Sequence, residues 1–415
     1  MRFLTYLLIL IVCSLFDTWT LKAQETLVPL HVCMTQAWNI SWERFYLPQT
    51  SLFYDYLTSY EPGSELKHLP KAKEVAGQFP NVCGYGTGME DCMISAGVIL
   101  DMIVDQYAVT KDESLREKAK NVFQGIKNCT TVHGVSGFLA RGVCPEDKKS
   151  IYINSSRDQY THAIHGLWIY FHSPLCDNET KKEISTLVSA IAERMIRNVV
   201  SENDYDSLRA DGTRDTLGIS RMWNVMGHEA ARLPMIYAIA WNITGQQKYF
   251  DLYQHYLDPA IEQSLNLNYW QMTYALLQMQ DSMQVLKSLE KEPKRITKIN
   301  KIMTILATRA AERAKAAAEQ GKQLDLTMLC SDWRTTDGLS EKGNYRRVWY
   351  CIRESGEAVL IQLMNEELPF SQEQKNLLAF SIRRLNYERV SSCGIFYLLG
   401  SYWKARKYKI LENQE

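Results

Sequence analysis

The 415-residue chain has 47 Lys and Arg against 47 Asp and Glu, a formal net charge of zero, and 46% hydrophobic residues. A balanced charge lacks the basic excess of a nucleic-acid-binding protein, so we expect no nucleic-acid partner. The hydrophobic and charged fractions are those of an ordinary globular protein, and the length permits either several domains or one large one.

The N-terminus has the features of a secretion signal. Arg2 precedes an apolar run over residues 3–16, and Ala23 offers the small residue that signal peptidase requires. We therefore predict that residues 1–23 are a signal peptide. Residues 24–415 would then be a single exported domain, located in the periplasm or outside the cell.

We expect no membrane-spanning segment in the mature chain. No later run reaches the roughly 18 uninterrupted apolar residues of a transmembrane helix. The stretch Leu10-Ile11-Val12-Cys13 weakly resembles a lipoprotein cleavage site, so a lipid anchor is the less favoured alternative. Nine cysteines remain once Cys13 is removed, and the absence of a Cys-x-x-Cys pair argues against a zinc ribbon or a redox motif.

Helix-length apolar runs alternate with amphipathic ones along the chain. A helix that is apolar all round is buried all round, whereas an amphipathic helix has one face in water. Two concentric rings of helices explain this alternation, so we predict an all-α, single-domain (α/α)6 toroid. A solenoid is the rival architecture, but it requires a regular period of roughly 34 to 47 residues, and the runs here are irregularly spaced. The apolar runs cover 90–110, 162–171, 230–241, 269–289, 349–364 and 387–403, and their amphipathic neighbours cover 114–129, 181–198, 246–257, 295–319, 373–385 and 42–60.

Three of the apolar runs begin after a polar loop that ends in acids or histidines. These loops cover residues 86–91, 156–162 and 227–229. If the runs are parallel inner helices of one body, the three polar clusters meet at one open end. Several ionisable groups that converge in a cleft are typical of an active site.

Two of these stretches carry a resemblance to a known family. Together with the secretory start and the paired helices, residues 84–91 (GYGTGMED) and 153–160 (INSSRDQY) are similar to exported bacterial proteins of the six-hairpin glycosidase superfamily, including glycoside hydrolases of gut Bacteroides type. The resemblance covers most of residues 40–405. It implies an (α/α)6 toroid, a carbohydrate substrate and acidic residues at the inner-helix ends, without identifying the acid that acts.

Glycoside hydrolysis requires two carboxyl groups, one to protonate the leaving oxygen and one to activate water or attack directly. Asp158 is the first candidate, and the alternative is that it only caps its helix. Glu90 and Asp91 are adjacent, so they point about 100° apart on a helix and only one faces the axis. We favour Asp91, although an acid at a helix N-terminus is also favourable without any substrate.

Later acids supply further catalytic candidates. Glu229 begins the third apolar run, and the alternative is a structural ion pair with Arg232 one turn later. Asp332 lies in a later loop and is a possible catalytic partner. Glu354 and Glu357 straddle the fifth inner helix and are weaker candidates for the site.

Polar and aromatic residues near these loops are expected to bind the substrate, because aromatic rings suit the apolar faces of sugars. We expect no cofactor and no metal. His162 and His165 share a helix face and could form a metal site with Asp158, but a core or sugar-binding histidine is favoured. The substrate-binding candidates are Tyr85, Arg141, Arg157, Gln159, His162, Trp223, His228, Trp270 and Trp333.

These observations predict a glycoside hydrolase in which Asp158 works with Asp91 or Glu229. Two alternatives remain open. One is a polysaccharide lyase that abstracts a proton beside a uronate carboxyl group, with catalytic residues drawn from Tyr160, His162, His228 and Arg141. The other is a glycan-binding protein that retains the cleft without catalysis.

Overall fold

The computed structural model describes residues 27–267, 273–335 and 343–411. Within them the only sheet is a two-stranded antiparallel hairpin, β1 (Tyr46–Leu47) and β2 (Leu52–Phe53). The α-helices are α1 (Leu30–Ile40), α2 (Ala72–Ala76), α3 (Cys92–Thr110), α4 (Leu115–Thr131), α5 (Arg157–His172), α6 (Asn178–Asn198), α7 (Arg232–Thr244), α8 (Gln247–Leu265), α9 (Thr273–Leu289), α10 (Pro293–Gly321), α11 (Arg346–Leu363), α12 (Gln372–Arg383) and α13 (Ile395–Lys407).

Six helices form a closed inner ring. Helix α3 contacts α5, and contacts continue through α7, α9 and α11 to α13, which packs back against α3. Outer helices α4, α6, α8, α10 and α12 each follow an inner helix and pack against it, and α1 covers α13. The predicted single (α/α)6 toroid is therefore the fold of this chain.

The burial pattern explains which helices are inner and which are outer. Helix α3 buries Met93, Ile99, Leu100 and Ile103 around its circumference, because it lies between the ring axis and the outer layer. Outer helix α10 buries one alanine-rich stripe and turns its lysines and glutamates to water. The cysteines of the described residues, nine in all, are buried and form no disulfide.

The inner helices run in the same direction. At their C-terminal ends, Trp168 and His172 of α5 contact the Asn242 side chain of α7 at 2.9 and 2.7 Å. Their N-terminal ends also meet, as the site geometry below shows. Parallel helices place all of the preceding loops at one end of the ring.

A buried ion cluster joins the last inner helix to the first. Lys404 Nζ of α13 lies 2.7 Å from Asp105 and 3.1 Å from Asp101 of α3. Lys407 Nζ also pairs with Asp105, at 2.6 Å. Removal of one partner would leave a buried charge uncompensated, so this cluster specifies how α13 docks on α3.

The N-terminal partner of the last inner helix differs from the prediction. Residues 42–60 are not a helix, since they contain the end of a π-helical turn (Ser41–Phe45), the β1–β2 hairpin and a loop. Phe45 and Phe53 in this stretch both contact the Phe396 ring of α13. The stretch was predicted as a helix because apolar composition alone does not distinguish such a hairpin from a helix. The last inner helix begins at Ile395 rather than at residue 387.

Among the described residues, one helix, α3, has the length and hydropathy to cross a membrane, and 67% of its most apolar window is buried inside the protein. Its position between α5, α13 and the outer α4 accounts for this apolar composition, because every side of the helix packs against protein.

Helices α3 and α5 approach most closely at two glycines. A Cβ added to Gly97 would lie 2.0 Å from the backbone oxygen of His162, and one added to Gly166 would lie 2.7 Å from Gly97 Cα. Neither backbone atom can move without a shift of a whole inner helix. The pair therefore sets the spacing between the helices that carry Asp91 and Asp158.

We expect Gly97→Ala to lower the free energy of unfolding by about 1–3 kcal/mol, because the added methyl group overpacks a backbone contact. Gly400→Ala on inner helix α13 is the matched control, since its Cβ would meet only ordinary contacts of 3.7 Å or more. That control should be neutral or slightly stabilising, because alanine favours a helix over glycine. Chemical denaturation of both variants measures the difference, and equal stabilities would contradict the assigned contact.

Candidate functional site

The N-terminal ends of three inner helices and the first half of a fourth meet at one end of the ring, which we call the mouth. Gln159 of α5 donates a hydrogen bond to Asp91, which precedes α3, at 3.2 Å. Arg232, the first residue of α7, pairs with Asp158 of α5. Arg353 of α11 lies 3.5 Å from the other Asp91 oxygen. The predicted convergence of distant polar loops is present in the structure.

Asp91 is held from three directions. Besides the Gln159 amide and the Arg353 guanidinium, Arg141 Nη1 lies 3.9 Å from its Oδ1. Asp91 occupies the N-cap position of α3, yet its side chain makes no capping hydrogen bond. The carboxylate is 17% exposed while Arg141 and Arg353 are buried, so the acid faces the mouth and its partners lie beneath it.

Asp158 is the most exposed of the mouth carboxylates, with 29% of its side chain accessible. Capping of α5 falls to Ser156, whose hydroxyl accepts the Gln159 backbone N–H, so the capping alternative for Asp158 is wrong. Burial raises the pKa of Asp158, but the guanidinium groups of Arg232 and Arg157 outweigh burial and hold the pKa below its ordinary value. Asp158 is therefore a carboxylate at neutral pH.

Glu229 pairs with Arg157 and not with Arg232. Arg157 Nε donates to Glu229 at 3.0 Å, and Arg157 Nη1 donates to the backbone oxygen of Arg221 at 2.8 Å. The alternative of a structural Glu229–Arg232 ion pair is wrong, because α7 begins only at Arg232 and Glu229 lies in the preceding turn, directed towards α5. His228 Nε2 lies 3.8 Å from the Glu229 carboxylate, and burial lowers the pKa of His228.

Glu90 is turned away from the mouth into the glycine loop. Its carboxylate accepts the backbone N–H groups of Gly86 and Gly88, at 3.2 and 2.7 Å. Both glycines have a positive φ of more than 80°, a conformation that other residues rarely adopt. The contacts assign Glu90 to building the loop that presents Asp91.

Asp332 lies in a loop anchored by other contacts. Its carboxylate accepts the backbone N–H of Arg334 at 2.9 Å, and the Arg334 guanidinium pairs with Glu74 at 2.8 Å. Trp333 is buried in the same loop and donates its indole N–H to the His68 carbonyl at 2.9 Å. These contacts hold the loop in place, and the catalytic role of Asp332 and the substrate-binding role of Trp333 stay predictions.

Arg353 and Glu357 form a buried ion pair. The sequence indicated Glu357 only as a weaker candidate for the site, and it did not indicate Arg353. Arg353 Nε donates to Glu357 at 2.6 Å, and the guanidinium lies 4.8 Å from the Trp349 ring and 4.9 Å from the Tyr397 ring. Burial raises the pKa of Glu357 to about 7, although Arg353 opposes the shift. The sequence signal was present, since Arg353 interrupts an apolar helix four residues before a glutamate.

Tyr274 is a further side chain near the mouth that the sequence did not indicate. Burial raises its pKa to about 12, with Asp158 as the largest charged contributor. Its ring lies 5.7 Å from the Arg353 guanidinium. Its hydroxyl therefore stays protonated at neutral pH.

Two predicted substrate-binding residues act beneath the surface. Gln159 is fully buried and donates to the Glu90 carbonyl at 2.9 Å as well as to Asp91. Buried Arg141 donates to the same carbonyl at 3.0 Å and to the Tyr85 hydroxyl at 3.1 Å. Burial raises the pKa of Tyr85. Gln159 and Arg141 thus position Asp91, and Tyr85 is the more accessible member of the group.

Three further residues were predicted to bind the substrate, namely His162, Trp223 and Trp270. His162 is buried and its Nδ1 lies 3.4 Å from Asp281 of α9, below the mouth. Trp223 packs at 4.6 Å against the Tyr256 ring of outer helix α8. Trp270 lies outside the described residues. Within the described ranges, no cluster of three or more His, Cys, Asp or Glu is arranged to hold a metal ion.

No protein-family model and no curated protein matches the sequence. Among solved structures, the chain is similar to a sugar epimerase from a ruminal bacterium (12% identity, TM-score 0.48, covering 91% of this chain and 99% of that one). It is also similar to the cellobiose 2-epimerase of Spirochaeta thermophila (12%, 0.48, 92% and 98%) and to an inactive α-1,6-mannanase variant of Salegentibacter (11%, 0.37, 68% and 87%). The fold assignment itself rests on the helix contacts of this chain.

The raised pKa of Glu357 predicts a pH-dependent stability. Between its ordinary value of 4.5 and about 7, the folded state keeps a proton that the unfolded state releases. The free energy of unfolding should therefore fall as pH rises through this window, by at most on the order of 3 kcal/mol.

Glu357→Gln should flatten that slope, because glutamine does not titrate. Denaturation at several pH values between 4 and 8 measures the slope for both proteins. Below pH 4.5 the difference in stability between them should be constant, which serves as the internal control. Parallel profiles over the whole range would contradict a buried, proton-holding Glu357.

Proposed function

We propose that this protein is an exported glycoside hydrolase that cleaves O-glycosidic bonds at the mouth. The observation that supports the proposal is the pair Asp91 and Asp158. Both carboxylates are partly exposed, both stand at inner-helix N-termini, and each is oriented by a buried guanidinium, from Arg353 and Arg232 respectively. Two fixed and partly exposed carboxyl groups are the groups that glycosidic hydrolysis requires.

We assign the base or nucleophile to Asp158. Its direct bond to Arg232 holds it ionised, and it is the more exposed of the two acids. An ionised, accessible carboxylate can either activate water or attack the anomeric carbon.

We assign the proton donor to Asp91. Its contacts to Arg353 and Arg141, at 3.5 and 3.9 Å, are longer than the direct Asp158–Arg232 bond. The Gln159 amide fixes its direction towards the substrate.

The lyase alternative has less support. The Tyr160 hydroxyl accepts the backbone N–H of Leu139 at 3.2 Å and is fully buried, and His162 pairs with Asp281. A tyrosine or histidine that abstracts a substrate proton must be accessible, so these two residues do not suit that role.

Asp158→Asn and Asp91→Asn should each lower kcat by about 10³-fold, because each removes one of the two carboxyl groups that the reaction uses. Release of reducing sugar from a panel of glycans measures the loss, and thermal denaturation checks that the variants remain folded. Asp251→Asn on the exposed face of outer helix α8 is the matched control and should keep wild-type activity. Turnover unchanged in Asp158→Asn would exclude that residue, and an unsaturated product would indicate a lyase.

Export gives a separate prediction. On expression of the full chain in a bacterial host, the mature protein should begin at Gln24 and be recovered from the periplasm or the medium, because residues 1–23 carry the signal features. Intact-mass measurement of the purified protein identifies the N-terminus. A cytoplasmic protein that retains residues 1–23 would contradict the proposal.

A further inference from the structure

A second depression, which we call the side cleft, opens beside the mouth. It has a volume of about 880 Å³ and is walled by residues 214–218, 221 and 224–226. Arg157 and Glu229, which stand at the starts of α5 and α7, form its inner wall. A volume of this size accommodates a ligand of a few sugar rings. A glycan bound at the mouth can therefore continue into the side cleft.

The outer wall of the side cleft carries more guanidinium than carboxylate. Arg214 lies 2.7 Å from Asp204 Oδ2, and Arg221 pairs with that same oxygen. Two cations therefore share one anion, and both are partly open to solvent, Arg214 by about half of its side chain. The neighbouring arginines already have partners of their own, since Arg157 pairs with Glu229 and Arg209 lies 3.5 Å from Asp215.

The nearby Asp206 does not remove this excess. It is buried behind the wall and accepts the backbone N–H of Leu208 at 2.6 Å. Burial raises the pKa of Asp206, and its side chain is not among those that line the side cleft, whereas Arg214 and Arg221 are. One positive charge at the Arg214–Arg221 pair thus remains available to an anionic ligand.

Internal hydrogen bonds hold the wall in shape. Buried Asp215 accepts the backbone N–H groups of Leu217 and Ile219, at 3.1 and 2.7 Å, and the side-chain amide of Asn154 at 3.0 Å. Arg157 fastens the wall to α5 through the Arg221 carbonyl. The two guanidinium groups therefore project from a preorganised surface, which lowers the entropic cost of binding.

The rim of the side cleft also exposes apolar surface. Leu217 and Met226 both line the cleft and are more than half exposed. Apolar side chains suit the C–H face of a sugar ring, while a guanidinium fork suits a carboxylate or a sulfate group. A ring that carries an anionic substituent satisfies both features.

We propose that the side cleft is a subsite for an anionic sugar residue, a uronate or a sulfated sugar, bound by Arg214 and Arg221. The inference rests on the proposed function, because it names the substrate class of the enzyme whose catalytic acids lie at the adjoining mouth. An anionic sugar residue bound in the side cleft would position the neighbouring glycosidic bond at the mouth, beside Asp158.

Binding measured without turnover tests this proposal. Asp158→Asn protein would be titrated calorimetrically with an oligogalacturonate, a sulfated galacto-oligosaccharide and a neutral galacto-oligosaccharide of equal length. We expect at least one anionic ligand to bind about tenfold or more tightly than the neutral one, with an affinity that falls as salt rises. Preference for the uronate or for the sulfate identifies the substituent.

Charge-removing variants locate the contact. In the same background, Arg214→Gln with Arg221→Gln should lower the affinity for the anionic ligand by about tenfold or more and leave the neutral ligand unaffected. Arg221→Lys should retain part of the affinity, because it keeps the charge and loses the fork. Arg197→Gln on the exposed face of outer helix α6 is the matched control and should bind as the parent does.

Equal affinity for anionic and neutral ligands, no binding of any anionic ligand, or binding that ignores the two arginines would overturn the subsite. The outcome is separate from that of the hydrolase proposal. Arginine-dependent binding in a protein that hydrolyses no glycan would retain the subsite and reject the hydrolase. Hydrolysis with no preference for charge would do the opposite.

Discussion

Closure of the inner ring is the constraint on which the rest of the structure depends. The Lys404–Asp101–Asp105 cluster docks the last inner helix on the first, between the middle and the C-terminal ends of the two helices. The other five junctions combine helix–helix packing with polar contacts such as Asp158–Arg232, and the α3–α5 junction is close enough at Gly97 and Gly166 to exclude a methyl group. Once the ring is closed with its inner helices parallel, the loops that precede these helices must all lie at the same end of the ring.

Pairing of charges across helices is the second level of organisation. Asp91 pairs with Arg353, which lies much later in the sequence on α11. Asp158 pairs with Arg232, the first residue of the next inner helix, α7. Each pair uses a buried arginine to orient a partly exposed acid. This division suits chemistry, because the exposed member can reach a substrate while the buried member keeps its geometry. The Glu229–Arg157 pair, whose two side chains are about equally exposed, forms part of the wall of the side cleft.

The prediction of the site succeeded where polar loops precede apolar helices, because the parallel inner ring places all of these loops at one end. Polar loops before apolar helices placed Asp91, Asp158 and Glu229 at one end, and the structure brings them together. Prediction failed where pairing depended on direction. The alternative that paired Arg232 with Glu229 is wrong, because the partner of Arg232 is Asp158. By contrast, the expectation that only one of the neighbours Glu90 and Asp91 faces the mouth, with Asp91 favoured, agrees with their contacts. Side-chain direction follows from where a helix begins, and an error of two or three residues reverses it.

The sequence by itself determined the helical class, the alternation of inner and outer helices and the end of the ring at which the acids gather. These features follow from hydrophobic periodicity, which is a local property of the chain. Only the tertiary structure decided the partners of those acids, the burial of Gln159 and Arg141 beneath Asp91, and the sharing of Asp204 by Arg214 and Arg221. These contacts join residues from different loops and helices, and their geometry depends on helix rotation and loop path, which periodicity does not encode.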